Sequence, residues 1–351
     1  MRQGVLVALL CVAGWVGNAQ AAFSDGQVNV VVFTDMTHDM AKAEGPGAEL
    51  AAEFAVEDDA AANGSLPVDV RGVDHGQSAV EATKRARKLV SDGADLLVGL
   101  GGQDVAEAVQ TAVAGHTVVI STGPVSDDLT GRDCNRTSFH WGPNLYVITQ
   151  VTRPDLRDSN SSRTIFIYGP GRAEAIRTTY ENGMMRGGQD VTGQVFLTDV
   201  EQTGLYVTSG MRLITPFYWN RTPQARKWAR RFARRQGAYP TYVQAAVYSA
   251  VRHYLSAVRA VSSDDPKAVA SEMRKTPVSD FYAPHGNVRA DGQLVQDVYL
   301  MRVKQPSDSH QAWDYFEKIK TLPGDAVYQP LSTSACSLGK QAAAHGDGGQ
   351  G

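Results

Sequence analysis

Between Val28 and Ile120 the chain alternates short β-branched apolar runs with longer segments of helical spacing, and this alternation limits the fold more than any other feature of the sequence. Val28 to Phe33, Val68 to Val73, Leu96 to Val98 and Val118 to Ile120 read as strands. Ala48 to Ala62, Ala79 to Ser91 and Val105 to Ala114 lie between them and read as helices. Strand, helix, strand in strict succession predicts a parallel sheet covered by helices on both faces, because parallel neighbours need a crossover long enough to hold a helix.

The alternation breaks at Arg153 to Arg163, where Pro154, aspartates, Asn160 and three serines read as a linker or exposed loop. It then resumes: Thr164 to Tyr168 as a strand, Ala173 to Met185 as a helix, Val195 to Thr198 and Arg212 to Tyr218 as strands. Thr222 to Arg235 is a basic helix whose Arg226, Lys227, Arg230, Arg231, Arg234 and Arg235 form either a solvated face or an anion patch. Thr241 to Ser262 is the clearest helix, with Val243, Val247, Ala250, Val251, Tyr254, Val258 and Val261 on one face. A short helix at Pro266 to Lys275 and a strand at Leu294 to Lys304 follow, and the Gly-rich tail from Ala342 to Gly351 is expected to be disordered.

At the N-terminus, Arg2, the apolar run Val5 to Ala13 and the small-residue site Ala19-Gln20-Ala21 have the layout of a secretory signal peptide, with cleavage expected after Ala21. The other reading of that segment is a membrane anchor, but the run falls well short of the ~18 apolar residues that cross a bilayer. Cys11 leaves with the signal. Cys134 and Cys336 are then the only cysteines of a chain of roughly 330 residues in an oxidising compartment, either bridged or buried as free thiols. That length suits two domains. The formal charge of −3 leaves no basic excess for a phosphate backbone, so nucleic acid is not an expected partner.

Three loops follow predicted strands and have the composition of anion-facing turns: Gly99 to Asp104, Ser121 to Ser126 and Gly169 to Arg172. The first approximates a dinucleotide fingerprint, yet Asp104 stands where the third glycine belongs and would oppose a pyrophosphate. The sequence contains no nucleophile elbow, zinc helix, phosphate-binding Gly-x-x-x-x-Gly-Lys loop or clustered Cys/His ligands. Asp127 and Asp128 are adjacent and point apart, as a capping pair would. Catalysis, a metal and a cofactor are therefore not expected. In Phe217-Tyr218-Trp219 one ring is expected in the core, and another could wall a ligand cleft.

Several strings, in order, resemble the periplasmic solute-binding proteins of ABC importers in the branched-chain amino acid (leucine/isoleucine/valine-binding) family. They are FTDMT with GPGAELAAEFAVED, VDHG, VVISTGPVSDDLTGRDCNRTSFHW, GQVFLTDV, PFYW, TYVQAAVYSAVRHYLSAV, NVRADGQLVQDVYLMRVK and WDYFEKIKTLPGD. The resemblance implies an α/β protein of two doubly wound lobes joined by hinge strands, closing on a ligand between them. The first lobe would comprise 22–142 and 241–280, the second 143–240 and 281–338, with 339–351 as the tail. Gln103, Thr122, Gly123 and Val125 would hold a ligand carboxylate, Asp199 would meet its amino group, and Tyr146 with Phe217 and Trp219 would flank its side chain.

Two departures stand out. After LYVITQVTR the family continues through a further strand, helix and strand, whereas here Pro154 to Ser162 stands in for them, predicting a second lobe short of roughly one βαβ unit. Gly102 and Gly169 also lie where the family often has a hydrogen-bonding side chain. The expected function is capture of a small amino acid or aromatic or aliphatic carboxylate in the periplasm and delivery to an importer permease. The alternative is a binding-protein fold retained as a sensor or protein-interaction partner, with an exposed sheet edge that could also support a dimer.

Overall fold

The computed structural model describes residues 23–158, 164–169, 171–184 and 190–346. The expected signal peptide, the whole segment 159–163 and the last five residues of the tail lie outside them.

The first sheet contains β1 (Val28–Thr34), β2 (Val68–Asp74), β3 (Leu96–Gly99), β4 (Val118–Ser121) and β5 (Ser138–His140), all parallel, in the order β2-β1-β3-β4-β5. Every residue of β1, β3 and β4 is buried, as central strands covered on both faces require, while the edge strand β2 is only partly buried. Helices α1 (Gly45–Asn63), α2 (Ala79–Ser91) and α3 (Gln103–Ala112) make the crossovers. The order reverses between β1 and β3, which opens a crevice beyond their carboxyl ends.

After α4 (Leu145–Asp158) the second sheet begins with β6 (Thr164–Ile167), α5 (Arg172–Glu181) and β7 (Asp190–Gly193). Two helices, α6 (Leu197–Thr203) and α7 (Leu205–Thr208), lead to β8 (Arg212–Thr215) and α8 (Pro223–Gln236). The chain then crosses back. Helix α9 (Tyr242–Val261) packs along α1 and under β3, and α10 (Pro266–Lys275) packs on α9 and β4. The α9 start is fixed by Thr241 and Gln244, whose side chains each bond the other's backbone N–H. Two short strands, β9 (Asn287–Val288) and β10 (Leu294–Val295), form a hairpin beside β5. Strands β11 (Val298–Val303) and β12 (Phe316–Leu322) complete the second sheet, in the order β12-β11-β8-β7-β6, with β6, β7 and β8 parallel and β11 and β12 antiparallel. The chain ends in α11 (Gly324–Val327) and α12 (Ser337–Gly346).

Several local expectations are corrected. Val195 to Thr198 is not a strand: β7 ends at Gly193, and Asp199 accepts the Phe196 backbone N–H at 2.8 Å, starting α6 at Leu197. The expected loop from Arg153 is helical through Asp158. The tail is helical through Gly346 rather than disordered from residue 339. Residues 287–295, expected in the second lobe, lie against the first sheet, where Gln293 bridges to His140 and the Gly292 carbonyl accepts the His140 N–H. Cys134 and Cys336 are bridged, tying the start of α12 back to the loop before β5 across 202 positions. The basic helix α8 buries Ala225, Trp228, Ala229 and Phe232, and its Arg231 and Arg235 pair with Glu53, Glu57 and Asp58 of α1. Among the described residues, no helix is long and apolar enough to cross a membrane.

Candidate functional site

Loops from both sheets enclose a cavity of about 300 Å³. From the first sheet come Asp35 and Met40 after β1, His75 and Gln77 after β2, Gly101 to Val105 after β3, and Gly123 to Val125 after β4. Across from them lie Tyr168 and Gly169 after β6 and Gln194 after β7. All three anion-facing loops expected from the sequence reach this one space.

Several features shape it. Helix α3 starts at its wall with Gly102 as N-cap and no side chain bonded to its first turn, so the unpaired N–H groups of that turn mark a place for negative charge. Asp35 is buried and accepts from the backbone N–H groups of Thr37, His38 and Met40 and from Gln77 Nε2, which together hold its carboxyl below the ordinary range despite burial. His75 is buried, its Nδ1 accepts the Gln77 backbone N–H at 3.1 Å, and burial depresses its pKa. Gln194 spans the two halves: its Nε2 donates to the Gly123 carbonyl at 2.8 Å and to the Tyr242 hydroxyl at 2.7 Å.

Beneath the floor sits Glu44, fully buried, with Oε2 accepting from the Thr34 hydroxyl and Oε1 without a partner among the described residues. Burial pushes its pKa up to about 7. Gly101 and Gly123 have no side chain for a steric reason: a Cβ at either would fall within 2.6 Å of a Glu44 carboxyl oxygen. Gly101 of the first glycine-rich loop is thus accounted for by the carboxyl beneath it.

Of the residues expected to bind ligand, Gln103, Gly123 and Val125 line the cavity. The others are elsewhere. Thr122 is buried, and its hydroxyl turns back toward the Gly99 carbonyl. Tyr146 is half-buried on α4, with its backbone N–H on Asp127. Phe217 packs against Trp228, Phe281 and Tyr282, and Trp219 donates its indole N–H to the Trp313 carbonyl, so both rings belong to the core. Asp199 is already neutralised by Arg172 Nε at 2.9 Å. Sequence reasoning missed Asp35, Met40, His75, Gln77, Tyr168 and Gln194; position just past a strand was the available signal, and VDHG carried it for His75.

Asp35, His38 and Asp74 form one cluster with metal-ligand chemistry. Backbone and side-chain donors already occupy the Asp35 oxygens, and Asp74 accepts from Thr37 and Gly76, so the cluster is held by internal hydrogen bonds.

A cavity formed by strand-end loops of two sheets is the geometry of a two-lobed binding protein. The family model for periplasmic binding proteins matches residues 27–173 and 163–310. This chain belongs to that family. Its structure is similar to a periplasmic binding protein from Burkholderia mallei, at 26% identity and a TM-score of 0.84, over 90% of this chain and 99% of that one. A branched-chain amino acid ABC transporter periplasmic ligand-binding protein from Burkholderia xenovorans LB400 matches at 26% identity and a TM-score of 0.80, over 89% of this chain and 100% of the other. An ABC transporter solute-binding protein from R. palustris, in complex with benzoate, shares the fold at 13% identity and a TM-score of 0.70, over 89% of this chain and 100% of the other. No curated protein is similar enough in sequence to match. Membership in a family of periplasmic binding proteins places the chain in the periplasm.

Proposed function

We propose that the protein captures a small organic carboxylate, an amino acid or an aromatic or aliphatic acid, in the cavity between its two sheets and presents it to an ABC importer permease after removal of a signal peptide ending at Ala21. The observation that carries this reading is the cavity itself: about 300 Å³, walled by Met40, Val105, Pro124 and Val125, with the open N-terminus of α3 at one side. An apolar wall with a few fixed polar groups suits a small amphipathic solute. The amino acid transport named for the B. xenovorans relative and the benzoate bound by the R. palustris protein fall in the same chemical range. Titration calorimetry of the mature protein against amino acids, benzoate and short aliphatic acids tests it. Binding of one class with micromolar or tighter affinity is expected; silence across the panel from folded protein overturns it.

A second reading, a sensor or protein-interaction role, draws on β6. This edge strand carries Phe166 at 41% exposure and is followed by Tyr168 at 64%, on the side where a shortened second lobe would leave an edge free. Light scattering on the eluting protein distinguishes the two: a dimer or co-eluting partner supports the second reading, a monomer that binds solute the first.

A further inference from the structure

We propose that His75 is a specificity-determining residue of the cleft, donating a hydrogen bond from Nε2 to one oxygen of the solute's carboxylate. The inference rests on the solute-capture reading and adds to it the identity of a polar anchor.

The tautomer follows from local geometry. His75 directly follows β2, its backbone N–H bonds the Thr34 carbonyl at 3.1 Å, and its ring lies edge-on to Phe33 with centroids 5.9 Å apart. Its Nδ1 accepts the backbone N–H of Gln77, so Nδ1 carries no proton and the neutral ring holds its proton on Nε2. That Nε2 is buried and has no hydrogen-bond partner among the described residues, although the residue, 1% exposed, forms part of the cavity wall. A buried donor left unpaired is costly, and a site built for an acceptor is where one is expected.

The rest of the wall indicates which acceptor. The first turn of α3, from Gln103 to Val105, brings backbone N–H groups without a side-chain cap to the same cavity; among the described residues no lysine or arginine side chain lines it, and Asp35 and Asp104 are its acidic side chains, so a solute anion has the helix start and the imidazole N–H as its donors. The Asp35 oxygens nearby are occupied by their own donors. A carboxylate, planar and with two oxygens, can be shared between the helix start and the imidazole N–H. An alcohol offers a single oxygen and no charge.

The test uses benzoate, L-leucine, L-isoleucine and L-phenylalanine, each paired with the alcohol that replaces its carboxylate, titrated into wild type, His75→Asn and His75→Gln. Asparagine keeps an acceptor near the Nδ1 position and loses the Nε2 donor, whereas glutamine reaches the Nε2 position with an amide N–H. For the tightest-binding acid, His75→Asn is expected to weaken affinity by roughly 10- to 100-fold, with His75→Gln recovering most of it and the matched alcohol binding weakly to all three. Equal affinities for wild type and His75→Asn would overturn the assignment while leaving solute capture standing. Failure of wild type to bind any of the acids would overturn the capture reading itself. A readout without ligand is the long-range ¹H–¹⁵N spectrum of histidine-labelled protein: the Nε2–H tautomer at His75 is expected, and the Nδ1–H tautomer would overturn the proposal.

Discussion

Arg172 Nε donates to Asp199 Oδ2 at 2.9 Å with both side chains buried, and the same guanidinium lies 4.2 Å from the centre of the Phe196 ring. Asp199 also takes the Phe196 N–H that starts α6. The pair joins the beginning of α5 to the beginning of α6, which makes Asp199 a structural acid of the second sheet. Replacing it strands a buried positive charge, a loss of about 3 to 5 kcal/mol. Asp199→Asn is therefore expected to shift the urea midpoint sharply downward. Unchanged stability with selective loss of amino-acid binding would show instead that Asp199 faces solute.

Gln194 contacts the first sheet's loops and α9 at once, through the Gly123 carbonyl and the Tyr242 hydroxyl. Gln194→Ala leaves both groups without that donor and removes part of the cavity wall, so solute affinity is expected to fall about tenfold or more. Tyr242→Phe spares the bond to Gly123 and should have the smaller effect. Calorimetry on the two variants decides the order; a larger loss in Tyr242→Phe would contradict this account.

Much of the first sheet was legible in the sequence, for a physical reason. Strands such as VNVVVFT are buried on both faces and so read as unbroken β-branched runs between alanine-rich helices. Strand β5 is three residues long and carried no periodic signal, and β12 lies at an edge with Glu317 to Thr321 partly or wholly exposed, which removes the apolar run that would mark it. The site divides similarly. Glycine-rich loops after strands pointed to Gly101, Gly102, Gln103 and Gly123 because local chain chemistry places them at the crevice. The roles of Phe217, Trp219 and Asp199 depend on distant chain: Phe281 and Tyr282 cover the first, the Trp313 carbonyl meets the second, and Arg172 reaches the third. Nothing within a few residues of a buried ring distinguishes a core wall from a cleft wall.

The Cys134–Cys336 bridge closes a loop of 202 positions and holds the α12 start against the first sheet's side of the molecule. A loop of that length corresponds to about 5 kcal/mol in the chain-entropy description, an upper value. Cys134→Ser with Cys336→Ser should lower the denaturant midpoint and abolish the difference between reduced and oxidised protein. Identical midpoints for wild type and the double variant under oxidising conditions would mean that native packing alone fixes α12.

Glu44 gives the fold a pH dependence of defined sign. Its folded pKa is raised from 4.5 to about 7, because desolvation outweighs the Thr34 bond and the attraction of Arg172. The folded state therefore favours the protonated acid: its contribution is fully present below the unfolded pKa and is lost as pH rises through about 7. The shift corresponds to about 3 kcal/mol at most between acid and alkaline limits. Asp95 is raised to about 7 as well and acts in the same direction, whereas the buried imidazoles of His75, His140 and His253, whose pKa values are depressed, lose stability as pH falls through the ordinary histidine range. These opposing trends mix in a wild-type profile, so the useful quantity is a difference. The stability of Glu44→Gln relative to wild type, from urea unfolding at pH 5 and pH 8, should rise by about 1 to 3 kcal/mol between the two. Asp95→Asn should show its own rise, independent of Glu44 because the two acids lie on opposite ends of the β1 strand. A Glu44→Gln difference that stays flat across that range would show that Glu44 remains ionised in the folded protein, with its unpartnered Oε1 supplied with a donor that keeps the charge in place.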